Sequence, residues 1–245
     1  MPSYPLRVLV LRKTKLGEAD LILTLLAADG RQVRAVAKGA RNPRAKLGAR
    51  VEPFSVLDAL LHSGRNLEIL AEAEMSASHD ALRSDYDRMV AGAVVLDVLD
   101  KIAVEGQAEP QLFDMALVTL DVLETVPTGS LDLVLIAFLL KALAMHGYRP
   151  ALDACASCGS GLDEYSSFSV EAGGAVCGTC GGGGVRLSGD ARLLMRALMR
   201  SKLADVAALD VPEDVRTEAL RVVRAYIGYH VPARLKAFDS YMRAL

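Results

Sequence analysis

Two groups of residues in this 245-residue chain have types and spacings that could do chemistry. The first is Cys155-Ala-Ser-Cys158 with Cys177-Gly-Thr-Cys180, a C-x2-C-x18-C-x2-C pattern that uses all four cysteines of the chain. A two-residue turn inside each pair brings both thiolates toward one ion, and the spacer suits a hairpin. The spacing therefore predicts a structural Zn2+ held by Cys155, Cys158, Cys177 and Cys180. Sulfur in every position leaves no place for a catalytic water, so such a ribbon staples without catalysing. The competing readings are disulfides, which need an oxidising compartment, and a C-x-x-C redox pair, which needs the start of a thioredoxin-like helix.

The second group is Arg31, Arg34, Lys38, Arg41, Arg44, Lys46 and Arg50, seven cations with no acidic residue between them. The whole chain carries a formal net charge of only -2, while residues 1–50 hold 11 Lys/Arg against 3 Asp/Glu. A basic head on an acidic body is what a polyanion-binding segment produces. Arg forks and Lys point charges neutralise successive phosphates and release condensed counterions. The same run could be a solvated face, but seven cations of one sign in so short a stretch favour nucleic acid. Tyr4 and Phe54 are the only aromatics among residues 1–77, so phosphate contacts should dominate over base stacking there.

Other candidates carry less. Glu18 and Asp20 read as turn carboxylates, because no metal ligand or histidine stands near them in sequence. His62, His79 and His146 lack a second ligand at helical spacing, and Gly181–Gly184 lacks the Gly-Lys-Ser/Thr ending of a phosphate loop. No catalytic residue and no small-molecule substrate emerge. Met1–Lys15 has scattered charges in place of a signal-peptide pattern, and Asp132 and Lys141 interrupt the apolar run Leu131–Met145. The expectation is a soluble, cytoplasmic protein with no membrane contact.

The elements that must position these residues change character along the chain. Leu6–Leu11, Asp20–Leu26 and Gln32–Lys38 read as strands, and Asp29-Gly30 marks a hairpin between the last two. Alternation puts Val33, Ala35 and Ala37 on one face of the third strand and Arg34, Val36 and Lys38 on the other. A charged loop follows Gly39, then strands over Pro53–Leu61 and Asn66–Ala73. Five short strands suit an OB-type barrel over residues 1–77.

From Asp80 the period shifts to helical. Helices are expected over Leu112–Val126, over Leu131–His146 with Ser130 as N-cap, from Ser188, from about Pro212 to Tyr229, and from Pro232 to Arg243. The fold class is thus α+β: an N-terminal OB-type β barrel, then an all-helical domain over 78–245 with a zinc ribbon inserted at about 150–186. Arg192, Arg196 and Arg200 repeat every four residues beside Leu194, Met195 and Leu198. That row is either a solvated face or one wall of a groove for an acidic, hydrophobic-ended peptide.

Lys15–Leu26 followed by Asp-Gly, then Ala35–Arg44 (AlaValAlaLysGlyAlaArgAsnProArg) and Glu52-Pro53-Phe54, resembles the N-terminal domain of the RecO family of bacterial recombination mediators. Arg224–Phe238 is similar to that family's ending, with Pro232 and Ala237 where glycine and serine are common. The resemblance implies a DNA repair and recombination mediator, not an enzyme. Such a protein binds single- and double-stranded DNA, anneals complementary strands, and with RecR helps load RecA onto strands covered by single-stranded-DNA-binding protein. It further implies nucleoid association and, for the C-terminal domain, binding of that protein's acidic C-terminal tail. The alternative is a barrel-plus-ribbon scaffold for structured RNA or a transcription complex, and a weaker third reading is a cysteine oxidoreductase.

Overall fold

The computed structural model describes residues 2–42, 46–164, 166–181 and 183–244, without the side chains of Lys46 and Ala244. The chain divides into two compact units, Met1–Glu124 and Thr125–Leu245.

The first unit is built on a closed barrel. Its strands β1 (Ser3–Leu16), β2 (Asp20–Ala27), β3 (Gln32–Ala37), β4 (Val56–His62) and β5 (Glu68–Ala77) are hydrogen-bonded in the order β1-β2-β3-β5-β4, and β1 closes the ring by pairing with β4. Val8, Val10, Leu21, Leu23, Leu25, Val33, Ala35, Ala37, Leu57 and Leu61 fill the interior. β1 to β4 contribute alternate residues, as the pleat requires, while Leu70 and Ala73 of β5 are three apart across a register shift. β1 is longer than the apolar run that predicted it. It carries a register shift between Val10 and Arg12, and beyond that bulge Arg12 to Leu16 continue to pair with β2. The segment after β3, read as a loop, contains a short helix, α1 (Lys46–Arg50).

Helices α2 (Asp80–Ser84), α3 (Tyr86–Ile102) and α4 (Pro110–Thr125) complete the unit. The joint with the barrel is Glu52-Pro53-Phe54. Phe54 sits in the left-handed region at φ 72° and is buried, its ring against Gly92 of α3, where an added Cβ would lie 2.8 Å from Phe54 Cε1. Strain of about 1–3 kcal/mol at such a residue persists only when the surroundings over-determine it. Here they do. His79 Nδ1 lies 2.8 Å from the Phe54 carbonyl, and Arg83 Nη2 donates to the Pro53 carbonyl at 2.7 Å and to Ser55 Oγ at 2.9 Å. His79, which the sequence left without a role, is buried and also meets Asp121 of α4 through Nε2 at 3.1 Å.

The Asp29-Gly30 turn forms as expected and has a second use. Gly30 has φ +84°, and a Cβ there would fall 1.9 Å from the Glu109 carbonyl oxygen. The Glu109 N–H donates to the Asp29 carbonyl at 2.7 Å, so the β2–β3 turn is also the seat for the segment leading into α4.

In the second unit, α5 (Leu131–Met145) is buried on nearly every side, and α6 (Gly189–Arg200) and α7 (Glu213–His230) pack around it. The stretch Thr128–Met145 is long and apolar enough to cross a membrane by length and composition, but 67% of it is buried in the protein. It is a core helix. Asp132 pairs there with Arg216 of α7 at 2.9 Å.

Three expectations need correction. Ser130 makes no side-chain cap; it ends a 3-10 turn, Thr128–Ser130, that leads directly into α5. The glycine run leads into a third ribbon strand, β8 (Val185–Arg186), pairing with β6 (Ser167–Ser169), which also pairs with β7 (Gly174–Val176). The last helix, α8, spans Lys236–Ala244, starting beyond Pro232 because Ala233 N–H turns back to the Val231 carbonyl at 2.7 Å.

Candidate functional site

The outer face of β1, β2 and β3 is set by register. Arg12 pairs with Thr24 and Thr24 with Arg34; one step along, Thr14 pairs with Ile22 and Ile22 with Val36. Residues in register share a face, so Arg12, Thr24 and Arg34 form one transverse row, with the two arginines roughly 10 Å apart by strand spacing. Arg34 and Lys38 are both exposed, on the face opposite the buried Val33, Ala35 and Ala37.

The ends of the row are held by local chemistry. Asp20 Oδ1 accepts the Gly39 N–H at 2.7 Å, which fixes the exit of β3 beside the β1–β2 turn. Arg41 is exposed and donates to the Gly17 carbonyl at 2.8 Å, so its charge is anchored without being neutralised. Arg12 meets the buried carboxylate of Asp100 at 3.4 Å while its own side chain stays 55% exposed.

The seven predicted cations do not share one fate. Arg34, Lys38 and Arg41 lie together along the outer face and its exit loop. Arg31 is tied to Asp29 at 3.0 Å, and its guanidinium also acts on Tyr4, whose phenol burial and the Glu68 carboxylate raise against it. Arg50, in α1, donates to the Ala73 carbonyl of β5 at 2.9 Å, away from the β1–β2–β3 face. Arg44 lies outside the described residues, as does the side chain of Lys46. Arg12 belongs to the row although it lies outside the Arg31–Arg50 run; the alternation of Arg12, Thr14 and Leu16 is the sequence signal that marks it.

Across β4 and β5, Asp58 faces Glu74 and Leu60 faces Glu72, and all three carboxylates are exposed. Arg7 of β1, in register with Asp58, and Arg50 of α1 stand among these carboxylates, so the β4–β5 side carries mixed charge, while Arg34 on the other side stands in register with Thr24 and with no carboxylate.

The four cysteines converge in the second unit, their sulfurs all within 4.8 Å of one another. Cys155 and Cys177 are buried, Cys158 and Cys180 exposed. The Cys177 N–H points at Cys155 Sγ at 3.4 Å, and Cys158 and Cys177 sulfurs are 3.8 Å apart. Backbone N–H groups, that of Cys177 foremost, pull the Cys155 thiol down to about 6, whereas Cys180, crowded by the sulfurs of Cys158 and Cys177, is pushed up to about 12. Amides thus favour a thiolate at one position, while hydrogen bonds to the sulfurs of Cys158 and Cys177 hold the proton at another. A cation at the centre resolves that conflict, since it deprotonates its thiol ligands outright. The donor set fits one tetrahedral metal ion.

The α6 arginines serve the approach to this ribbon. Arg192 donates to the Leu152 carbonyl at 2.9 Å, and Arg196 and Arg200 meet Asp153 at 2.6 and 3.8 Å.

A closed five-stranded barrel of OB type, followed by helices that carry a four-cysteine ribbon, defines the class of protein. Comparison with known families matches residues 1–79 to "Recombination protein O N terminal" and residues 83–238 to "Recombination protein O C terminal". The chain is 39% identical to the "DNA repair protein RecO" of Thermobifida fusca (strain YX) over 250 aligned residues, covering 100% of both chains. The chain belongs to the RecO family of DNA repair proteins.

Proposed function

We propose that this protein binds single- and double-stranded DNA on the β1–β2–β3 face of its barrel and anneals complementary strands there. The observation that carries this reading is the exposed row of Arg12 and Arg34, continued by Lys38 and Arg41. Two strands brought together on such a surface repel each other less, because Lys and Arg replace their condensed counterions. No bond is broken in that process.

The ribbon's ion is zinc in this reading. Zn–S bonds of about 2.3 Å in a tetrahedron set the sulfurs roughly 3.8 Å apart, which is the separation of Cys158 and Cys177. Zinc supplies folding energy there, and the surrounding residues orient the thiolates: Ser160 Oγ bonds Cys158 Sγ at 2.9 Å.

The partners proposed for the chain are RecR and the acidic tail of single-stranded-DNA-binding protein, acting together in loading RecA in the cytoplasm. For the tail, Arg196 and Arg200 with the exposed Leu193 are the candidate contacts, and an acidic peptide must compete with Asp153 for them.

A strand-annealing assay, with and without single-stranded-DNA-binding protein, tests the reading. The expected result is faster annealing of bare strands, and of protein-coated strands as well. Preferential binding of structured RNA over single-stranded DNA at matched salt would favour the scaffold alternative instead.

A further inference from the structure

A chain of rings runs from the core of the cysteine ribbon to the surface of the second unit. Phe168 of β6 meets Tyr226 of α7 edge-on at 5.0 Å, and Tyr226 meets His230 edge-on at 4.5 Å. His230 in turn stacks on Tyr148, with centroids 4.0 Å apart and planes inclined by 23°. Tyr229 contacts the same imidazole edge-on at 5.2 Å. The inner rings are buried, Phe168 completely, while Tyr148 and Tyr229 remain 42% and 55% exposed.

The outer ring is held in place by backbone geometry. Gly147 ends α5 at φ +85°, and the Tyr148 N–H returns to the Leu143 carbonyl at 2.8 Å, the left-handed closure of a helix end. Tyr148 is therefore presented in one orientation, one face on His230 and much of its surface open. Burial lowers the affinity of His230 for a proton, so the ring beneath stays a neutral aromatic. Arg149, next along the chain, is exposed, and its charge reaches Lys141, adding to the burial that lowers the Lys141 ammonium.

We propose that the Tyr148–His230–Tyr229 ring cluster is a stacking platform for an unpaired nucleobase, with Arg149 beside it for the flanking phosphate. The inference rests on the reading that the chain binds single-stranded DNA, and it adds a contact on the second unit that the basic barrel face does not supply. A flat ring already stacked face-on to its neighbour offers its next layer to another flat ring, and every base has one, so the contact is tolerant of sequence. Because Tyr226 links the column to Phe168 and lies 3.5 Å from where a Cβ on Gly173 would be, the ribbon buttresses the platform.

The test uses the full chain and two oligonucleotides of equal length, oligothymidine and its abasic counterpart, at matched salt. The wild-type protein should bind oligothymidine about tenfold more tightly than the abasic strand. Tyr148→Ala and Tyr229→Ala should each shrink that ratio and leave abasic affinity unchanged, while Tyr148→Phe keeps it. The chain has no tryptophan, so Tyr148→Trp introduces a lone indole reporter. Its emission should be quenched by oligothymidine and not by the abasic strand, which decides the matter even if Tyr148→Ala fails to fold.

Equal wild-type affinity for the two strands, or unquenched indole in the bound state, overturns the platform and leaves the barrel reading intact. Quenching by an acidic, phenylalanine-ended peptide in place of oligothymidine also overturns it. No binding of either strand by the wild-type protein defeats the DNA reading itself, and the platform with it.

Discussion

Arg12 and Arg34 stand in one transverse row of the barrel's outer face with Thr24 between them, three adjacent strands in register. The row exists because β1 runs past its bulge, carrying Arg12 to Leu16 beyond the segment that pairs with β4. Thr24 is almost fully buried between the arginines, and its Oγ1 accepts from Arg12 Nη2 at 3.4 Å.

Removing one thiolate should empty the ribbon. Cys155→Ser and Cys180→Ser are expected to purify without the ion that the four sulfurs of the wild-type chain can hold. Each should lose about 3 kcal/mol or more of stability, lowering Tm by roughly 6–12 °C. Elemental analysis and calorimetry on freshly purified protein check this; a metal-free wild-type protein of unchanged Tm contradicts it.

The β2–β3 turn should tolerate no side chain at its glycine. Gly30→Ala forces a Cβ onto the Glu109 carbonyl at a positive φ, so about 2–4 kcal/mol and roughly 5–15 °C of Tm should be lost. Thermal melts report the loss. Asp29→Asn, which keeps the turn and its backbone bond to Glu109, should cost far less.

The Asp132–Arg216 pair should leave a signature in pH. Burial raises the Asp132 carboxyl above its ordinary 3.8, outweighing the Arg216 guanidinium and the Leu133 N–H, which pull it down. The folded state therefore holds this proton more tightly than the unfolded chain. Its contribution is fully present below the unfolded value and is lost as pH rises through the folded one. Urea melts of the wild type and Asp132→Asn should show the wild type losing ground to the variant as pH climbs from about 4 toward neutrality. A gain over the same range would mean that Arg216 dominates.

Much of this architecture was legible in residue order. The barrel strands followed from alternation and from Asp29-Gly30, and the cysteine cluster from its paired C-x2-C motifs, because both signals are local. What escaped was non-local. Nothing near Arg12 says that it will stand beside Arg34, since that depends on two strand registers and a bulge. Arg31 looked equivalent to Arg34, yet a neighbouring Asp29 holds it. His79 has no partner at helical spacing because its partners, Phe54 and Asp121, come from a loop and a helix far apart in the chain. The strand after the glycine run is two residues long and exists only because Phe168 offers it an edge.

The most direct test of the account is the salt dependence of single-stranded DNA affinity for the wild type and for a triple variant with Arg34, Lys38 and Arg41 reversed to glutamate. If about five phosphates are neutralised, log affinity should fall against log salt with a slope of about -3.5. The variant, its Tm little changed because these side chains are exposed although Arg41 gives up its hydrogen bond to the Gly17 carbonyl, should bind far more weakly and with a slope shallower by about 2. A wild-type slope near zero, or a variant that keeps both affinity and slope, would contradict the claim that this face grips the strand.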